Sequence, residues 1–299
     1  MTTGCAAASL ARSEPAQGSA STVRSFLLVE NAGPWGVDAL VDARLPGHVK
    51  DGLRTRSAHA GVRVLLVRRH RGAPGHAGLR VFAAHADPVA PWLETAELTG
   101  PDQLLDLDLA ALGRGASPGL TPATGPVVCV CTHGRHDSCC ARLGRPTAAA
   151  LAGSHPDLTW EVSHVGGDRF AATVLVLPDG LYYGRVPAAE APGLVDRHLA
   201  GHLDLDLLRG RSGFGFPVQV AEIALRRELG ETRLSALRLV SARRSGDDTT
   251  VVLEVDGTAY DVVVRASESD ERQLLTCRAQ RESPVPSYDV VSLQAAARG

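Results

Sequence analysis

Residues 127–169 read VVCVCTHGRHDSCCARLGRPTAAALAGSHPDLTWEVSHVGGDR, and this stretch decides the fold. VVCVC, Val127 to Cys131, is a short apolar and β-branched run that predicts a buried strand. The polar loop THGRHD follows, and Asp137 is suited to cap a helix from about Ser138 to Ala152. LTWEVSH predicts a second strand and HVGGDR a glycine-bearing loop. FAATVLVL and LYYGRV predict a hairpin joined through Pro178, Asp179 and Gly180. An amphipathic helix over roughly Ala189 to Leu203 closes the unit. A strand, a crossover helix, a second strand and a hairpin suit a thioredoxin-like α/β layer with helices covering the sheet.

Four of the six cysteines, Cys129, Cys131, Cys139 and Cys140, fall within twelve residues of this unit; Cys5 and Cys277 lie near the ends. In a reducing compartment such clustering points to metal binding or redox chemistry more than to structural disulfides. Side chains alternate along a strand, so Cys129 and Cys131 share a face, with Cys131 at the loop mouth and Cys129 a deeper, structural thiol. Cys139 and Cys140 fall in the first helical turn, where backbone N–H groups and the positive dipole end favour a thiolate. A closely set dithiol is not indicated. Cys131 and Cys140 are spaced more widely than a C-x-x-C pair, and a vicinal Cys139–Cys140 disulfide would be strained.

Upstream, SFLLVEN, VRVLLVRR and LRVFAAH predict strands, and PDQLLDLDLAAL a short helical stretch, giving a smaller α/β unit over residues 24–118. Its GPWG segment, Gly33 to Gly36, reads as a rigid turn packed under Trp35, with no ionisable group to give it a catalytic role. ASPGLTPATGP, Ala116 to Pro126, is the expected boundary before the thioredoxin-like domain at 125–210. Downstream, the helix AEIALRREL precedes alternating strands with a hairpin turn at Asp256-Gly257, a small α+β domain over 217–299. Residues 1–23, rich in Ala, Ser and Thr without a continuous apolar core, read as a disordered tail rather than a secretory signal. No internal repeat is legible.

The whole chain has 299 residues, more than one core usually organises, with 44% hydrophobic and 21% charged residues, the balance of a soluble globular protein. The formal charge of -2 gives no net attraction to nucleic acid. No apolar run is long enough to span a membrane, so a cytoplasmic protein is expected. No Gly-rich nucleotide loop supports flavin or nicotinamide binding. No pair of carboxylates is recognisable by motif as glycosidase machinery, and no residue is assigned a catalytic role.

CTHGRHDSCCARLGRP, WEVSHVGGDRF and VLPDGLYYGRV, together with GPWG, resemble the sucrase/ferredoxin-like family from about Ser25 to Phe216. The resemblance implies a thioredoxin-like ferredoxin domain holding a [2Fe-2S] cluster for electron transfer or redox sensing, an electron carrier served by a separate protein redox partner rather than an autonomous enzyme. It implies two cysteine ligands separated by eight residues, here Cys131 and Cys140, and a loop His-x-Gly-Gly-His whose positions are here His164 and Asp168. The fourth ligand has changed. Asp168 either binds iron as a hard oxygen donor or hydrogen-bonds His164, leaving the position to water, Cys139, His133 or His136. Gly166 and Gly167 would let the backbone approach the cluster. Arg135, Arg142, Arg145 and Arg169 would screen its charge or guide an acidic partner, or are merely solvated. Zinc on the same four residues, or a metal-free interaction scaffold, is the alternative. Tyr182 and Tyr183 are read as one packing and one surface position of a strand.

Overall fold

The computed structural model describes residues 4–70 and 78–296. In chain order the elements are α1 (Cys5–Ala11), β1 (Ser25–Glu30), α2 (Gly47–Ala60), β2 (Val62–Arg68), β3 (Leu79–His85), β4 (Trp92–Leu98), α3 (Leu109–Gly113) and β5 (Thr121–Pro122). Next come β6 (Val127–Cys131), α4 (Ser138–Ser154), β7 (Thr159–Val162), β8 (Val174–Leu177), β9 (Leu181–Tyr183), α5 (Ala191–Leu199) and β10 (Leu208–Arg211). The chain ends with α6 (Phe216–Leu229), β11 (Leu237–Ser245), β12 (Asp248–Val255), β13 (Thr258–Gln273) and β14 (Ser283–Ala295).

Ten strands form one sheet in the order β10-β9-β8-β6-β7-β2-β1-β3-β4-β5. Its centre is an antiparallel seam where Val67 and Arg68 of β2 pair with Val162 and Glu161 of β7. Outward from that seam the two halves have the same plan. β1 and β2 are parallel across α2, as β6 and β7 are across α4; β3 returns antiparallel to β1, as β8 does to β6; and β4 and β9 complete the hairpins. The expected units 24–118 and 125–210 are therefore two copies of one topology joined in a single sheet. The sequence shows no repeat because the plan needs only alternating apolar strands, which many sequences supply.

The sheet curls, bringing Phe82 of β3 within 5.3 Å of Trp160 of β7. One apolar cluster lies along its inner face, from Phe26 and Leu28 to Cys129, Cys131 and Tyr182. On the other face, α2 and α3 cover the first half, and α4, α5 and Ile223 of α6 cover the second. Tyr182 and Tyr183 do point to opposite faces, but both are fully buried, because the helical layer closes over the face expected to be surface. α6 also carries Val218, Ala221 and Leu225 against the four-stranded antiparallel sheet β11-β12-β13-β14. The Asp256-Gly257 turn of that sheet has both residues at positive φ, as a two-residue hairpin turn requires.

Part of the tail expected to be disordered is ordered. α1 buries Cys5, Ala6 and Ser9, and Glu14 pairs with Arg169 at 2.6 Å while its carbonyl accepts from Arg185 at 2.7 Å. Those partners lie far along the chain, so composition alone could not announce them.

One buried acid holds the seam. Glu161 accepts from Arg68 at 2.7 Å, Thr132 at 2.8 Å and His70 at 2.8 Å. Burial raises its pKa, but these donors prevail and hold it below the ordinary value of 4.5. Its stabilisation is therefore complete above that value and is lost as pH falls through the lower folded value. Glu161→Gln should cost about 3 kcal/mol at neutral pH. The gap from the parent protein in thermal scans should close in acid; an equal gap at both pH values would show that the carboxylate charge is not what matters.

Candidate metal centre

Cys131 ends β6 and Cys140 sits in the first turn of α4, whose N-cap Asp137 accepts the Cys139 N–H at 2.8 Å. The helix rests on the strand unusually closely. A Cβ at Gly144 would overlap the carbonyl oxygen of Cys131, so only glycine permits this approach. One residue of helix turns the side chain by about 100°. Cys140 thus faces the inner cluster with Cys131, while Cys139 packs beside Cys5 and Ala171.

The loop after β7 supplies the other side. Gly166 and Gly167 take φ of 100° and 77°, turning the chain so that Asp168 points inward and its Oδ1 accepts from the Cys140 thiol at 3.1 Å. The Nδ1 of His164 lies 2.8 Å from the same oxygen, yet it is buried without an aligned hydrogen-bond partner. The donor atoms of Cys131, Cys140 and His164 lie within 4.8 Å of one another, as do those of His136, His164 and Asp168. Cys131, Cys140 and His164 therefore meet, and Asp168 joins them through Cys140 and His164. Three are buried, and His164, with 24% of its side chain exposed, forms the solvent edge, stacked on His136 at 3.8 Å.

The charges are mutually dependent. The Cys140 thiol, with His164, holds Cys131 well below the usual thiol range despite burial, and Cys140 is pushed up by its bond to Cys131 and by burial. Burial opposes the imidazolium of His164, but Asp168 and Cys131 outweigh it and hold its pKa at about 9. Burial raises the Asp168 carboxyl as well; His164 more than offsets this and keeps it low. The result is a compact group of thiolate, carboxylate and displaceable protons, the donor chemistry a metal requires. With two thiols, an imidazole nitrogen lacking an aligned partner and a carboxylate converging, the residues fit a bound metal group.

His133 does not compete for that role. Its Nε2 donates to the Gly36 carbonyl at 2.7 Å and its Nδ1 accepts from the His164 N–H at 3.2 Å, so both nitrogens are spent on backbone. GPWG is thus more than a packed turn: through His133 it fixes the start of the HVGGD loop, with Trp35 edge-on to His133 at 5.8 Å. Gly167 also makes room for a buried cation. A side chain there would collide with Arg209, a fully buried guanidinium that donates to Gly166 O at 3.0 Å, Ser19 Oγ at 3.0 Å and Ser19 O at 2.5 Å. Burial lowers the pKa of Arg209 to about 10, so it remains a cation near the thiolate and carboxylate. No local motif announces Arg209. Arg169 is drawn away to Glu14, whereas Arg135, Arg142 and Arg145 line a shallow cavity with Trp35 and Arg68.

A sequence model of the sucrase/ferredoxin-like family matches residues 12–210, two thirds of the chain, and the protein belongs to that family. Solved structures similar to part of it are two variants of the thioredoxin-like [2Fe-2S] ferredoxin from Aquifex aeolicus. They are 24% and 23% identical, are each matched over all of their own length and 29% of this chain, and have TM-scores of 0.26 and 0.25. No curated protein matches. Among the described residues no helix is long and apolar enough to cross a membrane.

Two glycines of α4 test the contact that builds this centre. Gly144→Ala should destabilise the fold by about 1–3 kcal/mol through overpacking against Cys131 and should impair metal uptake. Gly153→Ala, where nothing lies within 4 Å of the added carbon, should be neutral or stabilise by up to about 1 kcal/mol. Thermal melts and metal titration of the two variants check this; equal behaviour would contradict it.

Proposed function

We propose that the protein is an electron carrier or redox sensor holding a [2Fe-2S] cluster, with Cys131 and Cys140 on one iron and His164 and Asp168 on the other. The observation that carries this reading is the meeting of two buried thiols from one strand–helix turn with a His–Asp pair from the next loop, only the histidine reaching solvent. Membership of a sucrase/ferredoxin-like family supports it. Such a group supplies one-electron chemistry at a potential set by its ligands, their hydrogen bonds and net charge.

The chain's own residues set those terms. Asp168 adds a negative charge where a second histidine would be neutral, which lowers the potential; buried Arg209 works in the opposite sense. His164, at the solvent edge, is the donor nearest to a docking protein. Arg135, Arg142 and Arg145 offer a basic face to an acidic redox protein, and the free thiols suit the reducing conditions of the cytoplasm.

Zinc is the second reading. The donor atoms of Cys131, Cys140 and His164 lie within 4.8 Å of one another, and Asp168 Oδ1 is 3.1 Å from the Cys140 Sγ, a donor set that zinc also accepts. The test separates the two. Cys131→Ser and Cys140→Ser should each remove most iron and acid-labile sulfide from anaerobically prepared protein, and Asp168→His should raise the midpoint potential in a redox titration. A double serine variant with full iron and sulfide would refute the ligand assignment. Zinc without sulfide in the parent protein, in an amount that falls in the Cys131→Ser/Cys140→Ser double variant, would install the second reading.

A further inference from the structure

Cys139, turned away from the first centre, has company of its own. Its Sγ lies 3.4 Å from the Sγ of Cys277, which is 3.5 Å from the Sγ of Cys5. The carboxylate of Asp137 completes the group, 3.5 Å from the Cys5 Sγ, and the donor atoms of all four residues lie within 4.8 Å of one another. The residues come from three distant parts of the chain: α1, the start of α4, and the connection between β13 and β14. Cys5, Cys139 and Asp137 are buried and Cys277 is exposed.

We propose that these four residues form a second, structural metal site that binds one zinc ion through three thiolates and the Asp137 carboxylate. A tetrahedral zinc with Zn–S bonds of about 2.3 Å sets its ligand atoms about 3.8 Å apart. The Cys139–Cys277, Cys277–Cys5 and Cys5–Asp137 separations of 3.4–3.5 Å are within a few tenths of an ångström of this, and the remaining pairs lie within 4.8 Å. Three sulfurs and one oxygen fill all four positions, leaving none open to substrate, which is the pattern of structural rather than catalytic zinc.

Backbone donors support the thiolates and the carboxylate. The Cys5 N–H donates to the Cys277 Sγ at 3.4 Å, and the N–H groups of Cys139 and Cys277 donate to Asp137 at 2.8 and 2.7 Å. Without an ion, three thiols meet at one point and burial raises the pKa of both Cys5 and Cys139. Binding zinc releases the three thiol protons to solvent and changes no oxidation state. The ion would tie the N-terminal helix and the β13–β14 connection to the helix that carries Cys140, bracing the first centre from outside.

The two sites share no ligand, so they can be tested separately in the full-length protein. Zinc is measured in the parent, in the Cys131→Ser/Cys140→Ser double variant and in Cys277→Ser, alongside iron and sulfide. The proposal expects one zinc per chain in the parent and in the double variant. It expects that zinc to fall to a small fraction in Cys277→Ser while iron and sulfide persist. X-ray absorption of the zinc should show three sulfur neighbours and one oxygen. Cys277 is exposed, so its replacement should leave the fold intact, and a circular dichroism spectrum confirms this. Zinc unchanged by Cys277→Ser, zinc missing from every reduced sample, or a disulfide among Cys5, Cys139 and Cys277 under anaerobic preparation would each overturn the proposal.

Discussion

The close seating of α4 on β6 at Gly144 governs the chemistry of this protein. Backbone packs against backbone there, so the first turn of the helix sits over the end of the strand. Two adjacent cysteines are sent in different directions, Cys140 to Cys131 and Cys139 to Cys5 and Cys277. Asp137 belongs to both arrangements: it caps the helix whose first turn holds Cys140, and it faces the second thiol group. A strand–helix turn of ten residues thus serves as the scaffold for two clusters of metal-ligating side chains.

Buried charge is the second constraint. Each buried acid near the seam or the first centre is met by directed donors or a cation: Glu161 by Arg68, Asp168 by His164 and Cys140. Arg209 reverses the pattern, a buried cation bonded to neutral oxygens, with the Asp168 carboxylate and the Cys131 thiolate near enough to favour its charge. The backbone relay through His133 adds rigidity without charge, since one nitrogen donates and the other accepts. Together they hold the HVGGD loop to both halves of the sheet.

Local pattern made much of this legible. VVCVC, the capped helix after it and the spacing of Cys131, Cys140, His164 and Asp168 are all contained within about forty residues, where strand alternation and helix capping act. Features built from distant segments were not legible. Cys5 and Cys277 are 272 residues apart, and nothing in either neighbourhood signals the other. α2 was not anticipated because only Val49, Leu53 and Ser57 are buried along it, a stripe too narrow to stand out from its charged and glycine residues. The doubled topology was hidden for a related reason: sheet order depends on pairing between strands, whereas sequence pattern reports each strand alone.

An iron–sulfur cluster held by Cys131, Cys140, His164 and Asp168 would give the protein a colour and a fixed composition. The most direct measurement is anaerobic purification of the unmodified chain, with absorption spectroscopy and iron, sulfide and zinc analysis on one sample. Visible charge-transfer bands with about two irons and two sulfides per chain are expected. Colourless protein without iron or sulfide, even after reconstitution, would contradict it.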